Sequence, residues 1–309
     1  MNKICLFLGH NRFTGVNTWA LTLVNELLKL NYEVDVIIEN NNLSFAYING
    51  YDEFIKKIST TVYHDKTYLD NNYDWAVVSY NDHLDLIDVP TIFVSHSTEQ
   101  SISILESKVD YHVAVSERIK KYYKADDVIH NGIDLDYFKM VNEPNTFPNN
   151  IVLVSRYNPS YTLHYACKLI GLNLVHLKYE ENILDQLQKA DMVIGAGRSA
   201  YEGMACGKPT LIYNPLRKDS SGNLLVDGWI KESNFEKLLY RNCSGFGIGP
   251  DGEFEQDFYV KKVEDWMHLL TIYTKDDGGK NRKLVEKYLS SKLMGYKFDK
   301  VIKKIIWIK

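Results

Sequence analysis

The sequence predicts an α/β protein made of two doubly wound domains. Three observations carry that reading. Short, nearly unbroken apolar runs recur along the chain, as in KICLFLG at 3–9, and such runs suit parallel strands buried on both faces. Stretches with apolar residues at helical spacing separate them. The pattern pauses in an Asn- and Pro-rich segment, NEPNTFPNN at 142–150, and then restarts. A length of 309 residues accommodates two ordinary domains, near 1–145 and 146–309.

The elements follow in order. KICLFLG ends at Gly9 and leads through HNRFTG into TWALTLVNELLKLN, which sets Ala20, Leu23, Val24, Leu27 and Leu28 on one helical face. Asn17 or Thr18 is placed to cap that helix. YEVDVII at 32–38 is alternating and β-branched, so the opening unit is β–loop–α–β with a right-handed crossover. DWAVVSY, TIFVSH, YHVAVS and DDVIHNG give further short strands between 74 and 132, and Ser116 caps a helix over SERIKKYYKA. After the Asn/Pro segment, NIVLVSRY, NLVHLKY, ADMVIGAG and KPTLIYN repeat the strand pattern, with TLHYACKLIG and ENILDQLQKA as helices between them. The C-terminal residues read as two helices, NRKLVEKYLSSKLMG and then KFDKVIKKIIWIK. The last of these is free to return to the N-terminal domain.

Bulk composition narrows the function classes. Hydrophobic residues make up 45% and charged residues 25%, a globular balance that excludes extensive disorder. No apolar run reaches the roughly 20 residues of a membrane span. The N-terminal apolar stretch is too short for a signal sequence and lacks a cleavage site, so it reads as a first strand. Cys5, Cys167, Cys206 and Cys243 are scattered without metal or disulfide spacing. The expected compartment is a reducing cytoplasm. Charge is unevenly spread: residues 280–309 hold ten Lys or Arg against two acids, a net +8, which leaves −12 on the rest of a chain whose total is −4. A basic end on an acidic body suits an anionic membrane surface or nucleic acid, and equally a solvated helix face.

Strand ends direct attention to a few side chains, because ligands of open parallel sheets sit beyond the carboxyl ends of strands. Gly195 and Gly197 remove Cβ atoms from the loop after ADMVI, and the following helix offers unpaired N–H groups to an anion. Arg198 adds a fork of donors and Ser199 belongs to the same turn. Glu202, one turn further on, is a carboxylate suited to a ribose diol. Arg156 ends IVLVSR with a guanidinium suited to a diphosphate. His96 ends TIFVSH, where it can bond a sugar hydroxyl or a departing phosphate. Asp82 and His83, in the loop after WAVVSY, are weaker acceptor-side candidates. Neither G-x-G-x-x-G nor G-K-[ST] follows the first strand, and neither H-E-x-x-H nor G-x-S-x-G occurs, which argues against dehydrogenases, kinases, zincins and α/β-hydrolases.

Over nearly its whole length the chain resembles the two-domain nucleotide-sugar glycosyltransferases of the GT-B fold, specifically the large retaining group four. TGVNTWALTLVNELLKLNYEVDVI is similar to their first loop and helix, with Gly15 alone in place of the usual paired glycines. YHVAVSERIKKYY followed by VIHNGIDLDYF, with Asn-Gly-Ile-Asp at 131–134, resembles their interdomain approach. LVSRY resembles the first strand of their C-terminal domain, and ADMVIGAGRSAYEGMACGKPTLI resembles their donor motif. Two departures stand out. Ile194 occupies the position eight before Glu202 where the family often has Glu, and no Lys follows Arg156 until Lys168.

The resemblance implies two Rossmann-like domains facing a cleft. It implies that Arg156 holds the donor diphosphate, that Glu202 bonds the ribose and that the 195–199 backbone cradles phosphate and sugar. It further implies that His96 touches the transferred sugar and that Gly15 and Val16 approach the donor phosphates. The activity implied is transfer, with retention, from a UDP- or GDP-linked sugar to an acceptor hydroxyl on a glycan, a glycolipid or another polymer. No cofactor is implied, and with no Asp-x-Asp at a strand end no metal is expected. The inner membrane surface is the expected place of peripheral attachment. Three alternatives stay open: a non-catalytic nucleotide-sugar-binding or partner subunit, an epimerase of the same fold, and a glycosyltransferase acting on modified DNA.

Overall fold

The apolar runs form the interior parallel strands of two sheets. The computed structural model describes residues 3–8, 15–38, 62–63, 73–79, 87–97, 109–178, 183–245 and 258–306. The chain divides into two compact units, Met1–Gly132 with Ser291–Lys309, and Ile133–Ser290.

In the first unit the strands are β1 (Lys3–Leu8), β2 (Glu33–Ile38), β3 (Val62–Tyr63), β4 (Trp75–Val78), β5 (Thr91–Ser95), β6 (Tyr111–Ala114) and β7 (Asp127–Val128). They lie in the order β3-β2-β1-β4-β5-β6-β7, with every pairing parallel. That order reverses direction between β1 and β4, the arrangement of a doubly wound sheet. β4 and β5 are buried at every residue, as expected for strands covered on both faces.

Helix α1 (Gly15–Lys29) packs Trp19, Ala20, Leu23, Val24 and Leu27 into the core on one side of the sheet. It begins at Gly15, so Asn17 and Thr18 are inside the helix and neither caps it. Thr18 Oγ1 instead donates back to Gly15 O at 3.0 Å, and Asn17 is buried. Helix α2 (Glu117–Tyr123) is capped by Ser116, whose Oγ accepts from Ile119 N, and it ends on Lys124 in the left-handed region.

The second unit has β8 (Asn150–Val154), β9 (Asn173–Leu177), β10 (Met192–Gly195), β11 (Thr210–Lys218), β12 (Leu224–Trp229) and β13 (Phe258–Val260). Their order is β13-β12-β11-β10-β8-β9. Strands β8 to β11 are parallel, and the last two are antiparallel additions. The chain reverses between β8 and β10. Helices α3 (Tyr161–Leu169), α4 (Ile183–Lys189), α5 (Arg198–Ala205), α6 (Phe235–Tyr240), α7 (Val263–Thr271) and α8 (Asp277–Tyr288) cover this sheet. The Asn/Pro-rich segment belongs to this unit, because Asn145, Asn149 and Asn150 donate their backbone N–H groups to the Asp191 carboxylate at 2.7–3.0 Å.

The final helix, α9 (Ser291–Ile306), belongs to the first unit. The sequence pattern breaks this region at Gly295, but the structure breaks it at Leu289 and Ser290 and runs the helix straight through Gly295. The reason is close packing: a Cβ at Gly295 would lie 2.6 Å from Glu26 Cβ on α1. Glu26 is buried and accepts from Ser291 Oγ and Lys29 Nζ, each at 2.8 Å. Phe298, Val301, Ile302 and Ile305 complete the α9 contribution to the core. No described helix is long and apolar enough to cross a membrane.

Candidate functional site

The second unit builds its site at the reversal between β8 and β10, where strand carboxyl ends diverge and leave a crevice. A pocket of about 130 Å³ opens there, lined by Ser155, Arg156, Tyr157, Ser199, Tyr213 and Asn214. The β8 end is held by local bonds. Ser155 N donates to Leu177 O at 3.1 Å, Tyr157 N donates to Ser155 Oγ at 3.1 Å, and the His176 ring bonds Ser155 O at 2.9 Å. This turn presents Arg156 exposed at the rim, its guanidinium carbon 5.9 Å from the Tyr157 ring centre. Tyr213, from β11, is 1% exposed and packs edge-on against Trp266 at 5.0 Å, which fixes the pocket floor. Asn214 is held by its own bonds, accepting from Leu216 N and donating to Ser244 O.

The loop from β10 to α5 supplies the opposite wall. Gly197 stands at the helix entry with φ 58° and ψ −128°, a conformation that needs glycine, and no side chain caps the helix. The Gly197 N–H is committed to Cys243 O at 2.7 Å, so that amide is not available to cradle phosphate. Ala200 and Tyr201 return their N–H groups to Gly197 O. Ser199, in the first turn where amides lack intrahelical partners, lines the pocket. Gly195 closes β10 directly beneath this turn, where an added Cβ would lie 3.2 Å from Ser199 Cβ and Ala200 N. The helix is buried from Ala200 to Ala205 and approaches β10 through Gly203, where a Cβ would lie 2.7 Å from Val193 Cγ1.

Arg198 and Glu202 are brought together. Arg198 Nε donates to Glu202 Oε1 at 2.9 Å, one helical turn apart, with side chains 11% and 9% exposed. Burial raises the Glu202 pKa, against the opposing pull of Arg198. Burial likewise lowers the Arg198 pKa, opposed by Glu202 and, more weakly, by Asp134. Arg198 is thus engaged through Nε with a carboxylate on its own helix. Arg156 and Ser199 share the pocket, whereas Arg198 and Glu202 form a pair that does not line it.

In the first unit, the residues at the carboxyl end of the sheet form a second group. His96 follows β5. Its Nε2 is 3.4 Å from the hydroxyl of Ser79, which follows β4, and its ring meets Trp19 of α1 edge-on at 4.6 Å. Burial pushes the His96 pKa down to about 3, so the imidazole is neutral near pH 7 and carries one donor and one acceptor nitrogen. Gly15 and Val16 open α1, Gly15 exposed and Val16 half-buried. Asp82 and His83 lie outside the described residues. Among the described residues no group of His, Cys, Asp and Glu is arranged to hold a metal ion. The four cysteines are buried and unpaired, with burial pushing each thiol up to about 12.

Sequence reasoning missed Ser155, Tyr157, Tyr213 and Asn214. Each stands at or just past a strand run that was visible in the sequence, and the carboxyl-end rule applied to every such strand points to them.

No family model and no curated protein matches this sequence. Solved structures do. Anabaena Alr3699/HepE, in complex with UDP and glucose, is similar at 12% identity and a TM-score of 0.63, over 98% of this chain and 100% of that one. A variant of S. aureus TarM, in complex with fondaparinux, α-GlcNAc-glycerol and UDP, is similar at 12% identity and a TM-score of 0.58, over 98% and 100%. The lipopolysaccharide outer core galactosyltransferase WaaB, in its apo form, is similar at 11% identity and a TM-score of 0.56, over 98% and 100%. The chain therefore has the GT-B-like fold of two Rossmann-like units that these proteins share.

Proposed function

We propose that this protein is a retaining glycosyltransferase that moves a sugar from a nucleoside-diphosphate donor to an acceptor hydroxyl. The observation that carries the reading is the pocket at the β8/β10 reversal, with Arg156 at its rim and the uncapped first turn of α5 as its wall. A helix N-terminus beside a guanidinium that has no ion pair among the described residues is a diphosphate site in its chemistry.

During transfer, negative charge builds on the leaving phosphate while the sugar becomes cationic. Donors fixed in advance where that charge develops lower the barrier most. Arg156 and the first-turn amides of α5 supply them. A carboxylate has about four lone-pair sites, and Arg198 takes one of those on Glu202. Glu202 keeps capacity for the ribose hydroxyls, and Arg198 orients it and opposes the rise that burial imposes on its pKa, acting as a positioning residue. His96, at the carboxyl end of the first unit's sheet and neutral at pH 7, offers one donor and one acceptor nitrogen to a hydroxyl without adding charge. The resemblance to the retaining group supplies the stereochemistry, with the leaving phosphate taking the acceptor proton. UDP-linked and GDP-linked donors are the expected classes, and a glycan or lipid-linked hydroxyl is the expected acceptor.

The test is a mass-spectrometric screen of the full chain against UDP- and GDP-sugars, with and without mixed glycan and lipid acceptors. Release of nucleoside diphosphate from one donor supports the assignment. Binding with no release in any mixture would leave a nucleotide-sugar-binding subunit as the better description.

A further inference from the structure

The first unit carries a second cavity, at the end of its sheet opposite the one that holds His96. It measures about 390 Å³ and is formed by Tyr111 and Asp127, at the amino ends of β6 and β7, together with Tyr296, Lys297, Lys300 and Lys304 of α9. The three lysines fall at i, i+3 and i+7, so one face of the helix delivers all three ammonium groups. Lys303 pairs with Asp299 at 2.8 Å, while Lys297, Lys300 and Lys304 have no ion pair among the described residues. Lys304 Nζ is 3.3 Å from Tyr111 Oη, and Lys300 Nζ sits 4.6 Å from the Tyr296 ring centre. The aromatic rings thus fix Lys300 and Lys304 without neutralising them.

We propose that this groove captures the headgroup of an anionic glycerophospholipid and docks the first unit on a membrane surface. Converging lysines meet the phosphate. Asp127, the one acid among the described residues that line the groove, repels a second phosphate but accepts hydroxyl hydrogens from a polyol headgroup. Tyr296 is 51% exposed beside these lysines, a place that suits an aromatic ring at the depth of lipid headgroups. The apolar face of α9 is consumed by its own core, with Phe298, Val301, Ile302 and Ile305 at most 4% exposed, so attachment is by headgroup capture and not by insertion. Nucleic acid fits less well, since it calls for a track of phosphate contacts, and here the cations are gathered in one groove on a chain whose remainder outside 280–309 is acidic.

The experiment is co-sedimentation of the full chain with vesicles of phosphatidylglycerol in phosphatidylcholine, against phosphatidylcholine alone. The protein is expected to sediment only with the anionic vesicles. The triple variant Lys297→Gln, Lys300→Gln, Lys304→Gln should lose roughly 100-fold in affinity, at about a fivefold step per lysine. A control triple at exposed lysines of the second unit, Lys168→Gln, Lys231→Gln, Lys275→Gln, should stay within threefold. Equal losses in both triples, or retention within threefold in the α9 triple, would overturn the proposal. So would tighter binding to a short oligonucleotide than to the vesicles, lost in the same α9 triple. No nucleotide sugar enters the assay, so its outcome is separate from that of the donor assignment.

Discussion

Replacing Arg156 by Ala separates donor binding from folding more cleanly than any other change to the pocket. The side chain is exposed, and its one described contact is the Tyr157 ring at 5.9 Å. Surface substitutions of this kind shift stability by at most about 0.5 kcal/mol. A charge-assisted hydrogen bond to phosphate contributes about 1.5–3 kcal/mol, so the Kd for UDP or GDP, whichever binds, should rise roughly 10- to 150-fold. Turnover should fall by about 100-fold or more, because charge on the leaving phosphate is greatest in the transition state. Arg156→Lys keeps the charge but loses the planar fork, and should fall between Ala and the parent. Isothermal titration with UDP and GDP gives the affinity, and urea unfolding of the same samples gives the stability. A Kd within threefold of the parent, at unchanged stability, would refute the role given to Arg156.

Other substitutions probe the surrounding elements. Glu202→Ala strands the Arg198 guanidinium, 11% exposed, without its close carboxylate, and should cost about 3 kcal/mol in urea unfolding. Glu202→Gln keeps an oxygen for Arg198 Nε and should cost about 1 kcal/mol. In Glu202→Gln, UDP and its dideoxyribose analogue should bind with similar affinity, whereas the parent should prefer UDP; an unchanged preference would remove Glu202 from the ribose. His96→Asn should flatten the acid limb of stability. The folded pKa of about 3 lies below the unfolded value near 6.5, so the unfolded chain takes up the extra proton and stability falls as pH drops through that window. Between about pH 7.5 and pH 5 the His96 share is roughly 2 kcal/mol. His112 and His130, also lowered by burial, act in both proteins and cancel in the comparison. An identical slope in the variant would contradict the burial of His96. Gly203→Ala forces a Cβ to 2.7 Å from Val193 Cγ1, and a thermal midpoint equal to the parent would show that α5 does not approach β10 so closely. The expected loss is about 1–3 kcal/mol.

Much of the fold was legible because parallel strands are buried on both faces and therefore read as apolar runs. β1, β4, β5, β8 and β10 all follow from that one rule. The Ser116 cap was equally legible, since its partner Ile119 N lies three residues away. What could not be read depends on residues far apart in the chain. Gly295 reads locally as a helix stop, yet its role is to admit Glu26 of α1. The segment 142–150 reads as a linker until the Asp191 carboxylate is seen to hold it. Arg198 and Glu202 show the limit within one motif. Their spacing of four was visible and predicts a pair, but the same residues also suit two different parts of a nucleotide. Sequence alone does not rank those uses; the structure shows the pair itself, at 2.9 Å with both side chains largely buried.

The most direct measurement is a crystal structure of the chain soaked with UDP and, separately, with GDP. The account requires one of them to place its diphosphate within hydrogen-bond distance of Arg156 and the Ser199 amide, at the carboxyl ends of β8 and β10. A nucleotide ordered elsewhere, or no binding of either at millimolar concentration, would contradict it.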